Sequence, residues 1–325
     1  MLLLALLVFL LPLPLPLIVV GAGAALPVAE RVRFPTAEQD PVSGELLLTT
    51  VSLDDATPAR ALAAWVDPQS SVLPRDQVIA DDTPSEQYFA AQRELFRQTG
   101  QVAAAVGLRA AGLPVQVSGR GGARIVEVLP GAPAEGRLQV GDVIVEAAGA
   151  PVATVADLVA LVSASPAGQP VRLTVTRFGR AVEVLVVPAR YPGATQPGLG
   201  VRAQARDLQI DLPYPVQVDA GQIGGPSAGM MIALAVYDLA DPQDLTRGRV
   251  VAGTGTIDPD GTVGPVGGVP LKVQAAIDAG AELFLAPPAE VAVARAAADD
   301  RIAVAQVATL QEAIQVLQAG EERSS

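Results

Sequence analysis

The distribution of apolar and polar residues predicts three successive regions. Residues 44–53 (GELLLTTVSL) form a partly alternating apolar run typical of a strand, and residues 84–112 have the period of a long amphipathic helix. From about 113 to 190, short apolar runs are separated by Gly-rich turns and one helical segment, which indicates a compact β-rich module. From 191 to 320, strand and helix patterns alternate, as in an α/β domain.

Two helices of the last region begin beside residues of chemical interest. The first, predicted from Ser227 to about Ala240, is apolar on nearly all sides, but about 14 residues are too few to span a bilayer, so it should be buried. The second is predicted to open at Pro270 and to end before Gly280. Between them the Gly-rich stretch predicts a β-hairpin with Asp260-Gly261 at its tip.

The N-terminus carries an uninterrupted apolar segment. Residues 2–20 are all apolar, and a length of about 19 is close to the ~20 residues that span a hydrocarbon core. Its prolines are better tolerated in a membrane segment than in a soluble helix. We therefore expect residues 1–25 to be a transmembrane anchor or signal segment. The small residues Gly21 to Ala25 offer a signal-peptidase site, so cleavage and permanent anchoring both remain open.

Composition removes most catalytic options. A net charge of -12 without a long basic run argues against nucleic-acid partners. The chain has neither cysteine nor histidine, which excludes disulfides, thiol nucleophiles and histidine-based triads. The Gly-rich stretch lacks a phosphate-loop pattern, and Asp258 and Asp260 lack the later acidic ligands of a calcium loop. We expect no metal and no cofactor.

Ser227 lies in GPSAG, which fits the G-x-S-x-G pattern, but an α/β-hydrolase would need a histidine. Two interpretations remain. Ser227 either caps the helix that follows it, or acts as a nucleophile beside the helix N-terminus. In the second case backbone N–H groups in the region of Pro226 and Ala228 would form an oxyanion hole.

Lys272 is the single lysine among 22 basic residues, the other 21 being arginine. It falls in the first turn of its predicted helix, between Leu271 and Val273, so the helix dipole and burial should both lower its pKa. A neutral amine can deprotonate a serine hydroxyl, which an arginine cannot do. The alternative, an ordinary surface cation, does not explain why every other cation is arginine.

The two motifs together resemble the proteolytic domain of the Lon family. IGGPSAGM and GTIDPDGTVGPVGGVPLKVQAA have that family's order and spacing, and the resemblance extends from about 210 to 318. It implies that Ser227 is the nucleophile and Lys272 the general base. It also implies that Thr254 lies near this dyad and helps to orient the lysine amine.

The module at 113–190 resembles a PDZ domain, because PGAPAEG is followed by LQVGDVIVEAAGAPV and a helix. Such domains take C-terminal tails by strand addition. The predicted carboxylate loop consists of Gly112, Leu113, Pro114 and Val115.

The order of these parts is similar to that of YlbL-like bacterial membrane proteases. The resemblance implies an α/β (α+β) Lon-type proteolytic domain with an inserted β-rich PDZ domain. The expected divisions are 1–25 (anchor or signal), 26–112 (first part of the protease domain), 113–190 (PDZ domain), 191–320 (catalytic part) and 321–325 (tail).

The expected function is that of a membrane-associated serine endopeptidase whose PDZ domain recruits the C-terminal tails of protein or peptide substrates. The resemblance places it as a single-pass protein with its bulk outside the cytoplasm, and analogy suggests a homo-oligomer. Since no Walker motif is present, cleavage should not need ATP. The alternatives are a non-catalytic tail-binding adaptor with a Lon-like scaffold, or a subunit that is silent until a partner orders its site.

Overall fold

The computed structural model describes residues 15–34, 43–67, 70–79, 84–129, 131–139, 141–166, 168–191, 197–241 and 244–319. The chain divides into two compact units. The first comprises Met1–Val115 and Leu212–Ser325, and the second is Gln116–Asp211. The second unit is therefore an insertion in the sequence of the first.

The N-terminal part of the first unit supplies four strands and two helices. They are β1 (Leu17–Pro27), β2 (Val32–Arg33), β3 (Glu45–Asp55), α1 (Pro58–Val66), β4 (Ser71–Pro74) and α2 (Ser85–Ala110). β3 and α2 lie where the apolar pattern predicts them. α1 begins after Thr57, whose hydroxyl accepts a hydrogen bond from the Arg60 N–H at 3.3 Å, with Pro58 at the first helical position.

Helix α2 ends in a glycine cap. Gly112 has φ +79°, and its N–H donates to the Arg109 carbonyl at 3.0 Å. The Leu113 N–H donates to the Leu108 carbonyl at 3.0 Å. These two bonds satisfy carbonyl groups that the last helical turn would otherwise leave open.

This cap overturns the predicted carboxylate loop. Gly112 and Leu113 already use their N–H groups within the helix end, and Pro114 has none. Leu113 and Val115 pack against the core of the first unit. One remaining N–H, that of Val115, cannot form a cradle for a carboxylate, so the prediction is wrong. A glycine after a helix and a glycine in a binding loop give the same short sequence signal.

The second unit is a β-rich module with one helix. Its elements are β5 (Gln116–Val128), β6 (Val143–Ala147), β7 (Ala150–Pro151), α3 (Val155–Ala164), β8 (Val171–Arg177), β9 (Arg180–Val186) and β10 (Val201–Asp211). The strand order is β10-β5-β6-β8-β9, with β7 on β6. α3 opens with a capping box, in which Thr154 and Asp157 each accept a hydrogen bond from the other's backbone.

The compact unit extends beyond residue 190, the predicted end of the PDZ domain. β10 pairs antiparallel with β5 from Val201 opposite Val128 to Asp211 opposite Gln116. The unit therefore runs to Asp211, and it starts at Gln116 rather than at 113. β10 has a mixed, weakly apolar sequence, and its partner lies far away in the chain, so local pattern did not assign it to this sheet.

A buried ion pair joins β8 of this unit to the turn before β6. Arg177 donates from Nη2 to Asp142 Oδ2 at 2.7 Å and from Nε to Oδ1 at 2.8 Å, and Asp142 is only 1% exposed. Burial raises the pKa of Asp142, but hydrogen bonds from Arg177 and from the Gln139 N–H outweigh it. The pKa of Asp142 therefore lies below its ordinary value.

The C-terminal part of the first unit alternates strands and helices. Its elements are β11 (Gln217–Val218), α4 (Gly229–Ala240), β12 (Val250–Gly253), β13 (Thr256–Ile257), β14 (Val263–Gly264), α5 (Val269–Asp278), β15 (Leu283–Ala286), α6 (Val291–Ala298), β16 (Ala303–Gln306) and α7 (Leu310–Gln318). β13 and β14 form the predicted hairpin, and α4 is buried over most of its length.

Both parts contribute to one six-stranded sheet with the order β16-β15-β12-β3-β1-β4. The neighbours from β16 to β3 are parallel, whereas β1 is antiparallel to β3 and to β4. Along β3, Leu46 and Leu48 join a core cluster with α2, α4 and α7, while Leu47 joins the cluster of α5 and α6. The sheet thus lies between two helical layers, and the mixed α/β class agrees with the prediction.

The N-terminal boundary at residue 25 is wrong. β1 pairs with β3 from Ile18 to Pro27, so the last residues of the apolar segment and the small residues after it belong to the sheet. Ile18 is fully buried there. An apolar run next to small residues suits a paired strand as well as a targeting segment, which explains the error. Residues 1–14 of the predicted anchor and the 321–325 tail lie outside the described residues. Among the helices that the structure describes, none is long and apolar enough to cross a membrane.

Candidate active site

The loop that carries Ser227 joins β11 to α4 and is supported from behind by α2. The Gly225 N–H donates to the Gln92 carbonyl at 2.9 Å, and Gly225 has φ +83°. A Cβ at Gly224 would lie 2.7 Å from the Gln92 Cβ. The two glycines of GGPSAG are therefore needed for this close contact with α2.

Ser227 does not cap α4. The cap position is Ala228, and no side chain accepts a hydrogen bond from the first turn. The Ser227 side chain is partly exposed, and its hydroxyl makes no hydrogen bond among the described residues. The cap interpretation is thus not supported, and the hydroxyl is available to a substrate.

The peptide unit of Ser227 is fixed by the end of β12 and the residues after it. Its carbonyl accepts hydrogen bonds from the Gly255 N–H at 2.8 Å and from the Thr254 hydroxyl at 3.1 Å. In return, the Met230 N–H donates to the Gly255 carbonyl at 3.1 Å. Thr254 is itself held by its N–H, which donates to the Leu285 carbonyl at 3.0 Å. The serine loop is therefore tied to the central sheet.

Lys272 is the fourth residue of α5 and is 3% exposed. Its Nζ donates a hydrogen bond to Thr254 Oγ1 at 3.1 Å. Burial lowers the pKa of Lys272 to about 8, and the negative charge of Glu290 opposes that shift. An amine with this pKa is partly neutral near neutral pH, which a surface lysine is not.

Thr254 is hydrogen-bonded to both predicted residues, Lys272 and Ser227. Its Oγ1 accepts from Lys272 and donates to the Ser227 carbonyl, and its side chain is fully buried. The role expected of Thr254 from the family resemblance is compatible with this geometry. No hydrogen bond joins the Ser227 hydroxyl directly to the Lys272 amine in this structure.

The backbone beside Ser227 offers unused donors. In the described part of the chain, neither the Ser227 N–H nor the Ala228 N–H donates a hydrogen bond. Pro226, which we included in the oxyanion region, has no N–H and contributes only its carbonyl, which accepts from the Gly229 N–H at 3.2 Å. The donor pair therefore shifts to Ser227 and Ala228.

Sequence reasoning missed Glu290, the residue just before α6. Its Oε2 is buried and has no hydrogen-bond partner among the residues that the structure describes, and its charge raises the pKa of Lys272. An acidic residue at a helix start is ordinarily explained by the helix dipole, and this hid its relation to Lys272. The only sequence signal was its place in a Pro-rich loop after a buried strand.

In the hairpin whose sequence superficially resembles a calcium loop, Asp260 stabilises the turn. Asp260 Oδ1 accepts a hydrogen bond from the Thr262 N–H at 2.9 Å, as in a tight turn. Among the described residues, no three acidic side chains gather in a way that could hold a metal ion.

Two protein-family models match the chain. The model of the PDZ domain matches residues 106–187, and that of the Lon protease (S16) C-terminal proteolytic domain matches residues 203–318. Both matches begin within about ten residues of the points at which the structure divides the chain. No curated protein was found to match the chain.

Among solved structures, the chain is similar to the PDZ domain of the SdrC-like protein from Listeria innocua, with 20% identity over 26% of this chain and 93% of that chain and a TM-score of 0.24. A protein from Geobacillus thermodenitrificans is 37% identical over 25% of this chain and 95% of that chain, with a TM-score of 0.22. The PDZ domain of the SdrC-like protein from Listeria monocytogenes is 18% identical over 25% and 86%, with a TM-score of 0.24. On the two family matches, the chain contains a PDZ domain and a Lon-type C-terminal proteolytic domain, which together indicate a peptidase with a PDZ domain.

Proposed function

We propose that this protein is a serine endopeptidase in which Ser227 is the nucleophile and Lys272 is the general base. The observation that carries the proposal is the buried Lys272 amine, held by the same threonine that binds the peptide unit of Ser227. The chain has no histidine, and a lysine with a lowered pKa can serve as the base in its place.

The chemistry then follows in two halves. The neutral Lys272 amine takes the proton of the Ser227 hydroxyl while Oγ attacks the scissile carbonyl, and the resulting ammonium gives that proton to the leaving amine. Water that the neutral amine deprotonates then attacks the acyl-enzyme ester, and the resulting ammonium returns that proton to Ser227 Oγ as it leaves, which restores the free hydroxyl. In both tetrahedral intermediates, the Ser227 and Ala228 N–H groups would donate to the oxyanion. Thr254 acts as a positioning residue, since it accepts from the amine and holds the Ser227 carbonyl.

The PDZ domain supplies substrate recruitment in this proposal. PDZ domains bind extended C-terminal tails as an added strand. A tail held by one part of the chain raises the effective concentration of the substrate for the other part, without any new contact at the scissile bond. We infer that substrates are flexible or unfolded proteins and that no ATP is consumed.

We also propose that the protein is associated with a membrane through its N-terminal apolar sequence. The support is the composition of residues 2–14, which contain only apolar residues and proline. Assembly into a homo-oligomer is a further proposal that rests on analogy with Lon-type domains.

One observation favours a second candidate function. Because no direct hydrogen bond joins the Ser227 hydroxyl to Lys272, a non-catalytic adaptor that only binds tails is the main alternative. Catalytic hydrogen bonds are often long or unformed without substrate, so the geometry is also compatible with a peptidase.

Cleavage of an unfolded protein by the full chain distinguishes the two. Ser227→Ala and Lys272→Arg should each reduce cleavage by at least ~10³-fold, as losses of a nucleophile or base commonly do. The control is Ser165→Ala, which removes a hydroxyl in the second unit that only donates to the Leu161 carbonyl. An inert wild-type chain that still binds C-terminal peptides would support the adaptor. Equal activity of Lys272→Arg would exclude the proposed base.

A further inference from the structure

Helix α1 exposes its large apolar side chains. Leu62, Trp65 and Val66 are 62%, 83% and 72% exposed, and their spacing of three and four residues places them on one face. The only residue that α1 buries is Ala64. We call the set Leu62, Trp65 and Val66 the α1 apolar face. Contiguous exposed apolar surface of this kind usually marks a binding surface.

This face lies beside the point where the N-terminal apolar sequence enters the fold. The Leu15 N–H donates to the Ala56 carbonyl at 2.8 Å, and the Ala56 N–H donates to the Leu17 carbonyl at 2.9 Å. Ala56 directly precedes Thr57, the cap of α1. Since α1 is nine residues long, or about 14 Å, the whole face lies close to the start of β1.

The charged residues around the α1 apolar face indicate what kind of partner it can bind. Arg60 is the only charged residue of α1, and its Nη1 donates to Asp54 Oδ1 at 3.1 Å. Asp55 and Asp67 flank the helix on either side in the sequence. Such a surface has no excess of cations to attract anionic headgroups, so the attraction must come from the apolar side chains themselves.

We propose that the α1 apolar face rests on the lipid bilayer, at the level of the headgroups, next to the membrane-associated N-terminal sequence. Tryptophan is enriched at this depth, where its ring is apolar and its N–H stays hydrated. Three side chains bury roughly 400 Å² at most, about half of the ~800 Å² per partner in a stable dimer, which disfavours a second copy of the chain. The inference rests on the proposed membrane association and is independent of peptidase activity.

Trp65 is the only tryptophan of the chain, so its fluorescence reports directly on this face. The full chain is reconstituted into phosphatidylcholine vesicles, and flotation and tryptophan emission are measured. We expect a blue shift, loss of iodide quenching, and strong quenching by lipids brominated near the glycerol end of the acyl chain. Bromine near the terminal methyl should quench less, because interfacial helices insert only ~5–10 Å. Adding anionic lipid should leave the signal unchanged.

The double variant Leu62→Ser, Val66→Ser keeps the reporter and should lose most of the lipid quenching. The control Val159→Ser, Phe178→Ser removes two exposed apolar side chains of the second unit and should behave as wild type. A chain that floats with the vesicles while Trp65 stays accessible to iodide overturns the inference but leaves membrane association standing. A chain that does not float contradicts both. A blue shift that appears without lipid and grows with protein concentration assigns the face to a second copy and likewise overturns the proposal.

Discussion

Among the described residues, Asp142 of the second unit and Lys272 of the first are charged side chains that are at most 3% exposed, and their pKa values are shifted in opposite senses with respect to charge. In the second unit, Asp142 is paired with Arg177 at 2.7 Å, and its pKa is shifted toward the charged form. In the first unit, Lys272 has no carboxylate within salt-bridge distance among the described residues, and its pKa is shifted toward the neutral form. A buried charge that is paired contributes to the fold, whereas one kept close to losing its proton is suited to chemistry.

The largest expected difference between these two groups is in activity. Lys272→Met should abolish peptide cleavage, by ~10³-fold or more, because it removes the base. Asp142→Asn should leave cleavage of a short peptide without a PDZ-binding tail within about threefold, because Asp142 belongs to the other unit. Both variants are assayed as full chains on the same peptide. Equal losses of activity in the two variants would show that Lys272 and Asp142 do not differ in their importance for catalysis.

The same two variants should change stability in opposite directions. Asp142→Asn leaves Arg177 without its charged partner and should destabilise the second unit by ~3–5 kcal/mol. Hydrogen exchange of peptides within 116–211 measures this loss. The control is Glu183→Gln, which removes an exposed pair with Arg172 at 3.8 Å and should cost less than ~1 kcal/mol.

Lys272→Met should stabilise the first unit at pH 7 by ~1–3 kcal/mol. The folded pKa of about 8 lies below the unfolded value of ~10.4. Between these two pH values the unfolded chain binds more protons than the folded one, so the free energy of unfolding rises with pH. Below pH 8 the amine is charged in both states, and the burial of that charge lowers the free energy of unfolding by its full amount. Far-UV circular dichroism during urea unfolding measures the gain. The matched control is the exposed Arg295→Met, expected within ~0.5 kcal/mol of wild type. Destabilisation by Lys272→Met would mean that the folded protein stabilises the charged form of the amine.

Thr254 should matter more for catalysis than for substrate binding. Thr254→Val removes the acceptor of the Lys272 amine and one donor to the Ser227 carbonyl, so kcat should fall by ~10–100-fold with little change in KM. Thr254→Ser keeps the hydroxyl and should recover most of the activity. If the serine variant is as impaired as the valine variant, packing rather than the hydroxyl is responsible.

The smallest expected effect comes from Glu290. Its charge raises the pKa of Lys272, so Glu290→Gln should lower that pKa and move the acid limb of the kcat/KM profile to lower pH by ~0.5–1 unit. The control is Glu282→Gln, because Glu282 also precedes α6 in the sequence but is exposed. A profile that does not move, or that moves to higher pH, contradicts the role assigned to Glu290.

Sequence pattern predicted those parts of the fold whose burial is regular and local. α2 and α4 have the apolar spacing of buried helices, and the β13–β14 hairpin has its Asp-Gly turn. The pattern did not place β10 or β1, because each belongs to a sheet through partners far away in the chain. The glycine after α2 was misread because a helix cap and a ligand loop use the same residue.

The candidate site was predicted to a different extent for each residue. Lys272 was found because it is a single lysine among arginines, and Ser227 because its motif precedes an apolar helix. Thr254 entered through resemblance alone. Glu290 was missed, because its effect on Lys272 depends on the packing of α6 against α5, which no local pattern shows. Including Pro226 among the donors overlooked the fact that proline has no N–H.

Lys272 being the only lysine, a chain labelled with 13Cε-lysine gives a single side-chain signal whose pH titration reads its pKa directly. We predict a midpoint at about 8, equal to the midpoint of the acid limb of kcat/KM in the full chain. A midpoint near the ordinary value of ~10.4 would mean that the amine is charged at working pH, and Lys272 could not be the base.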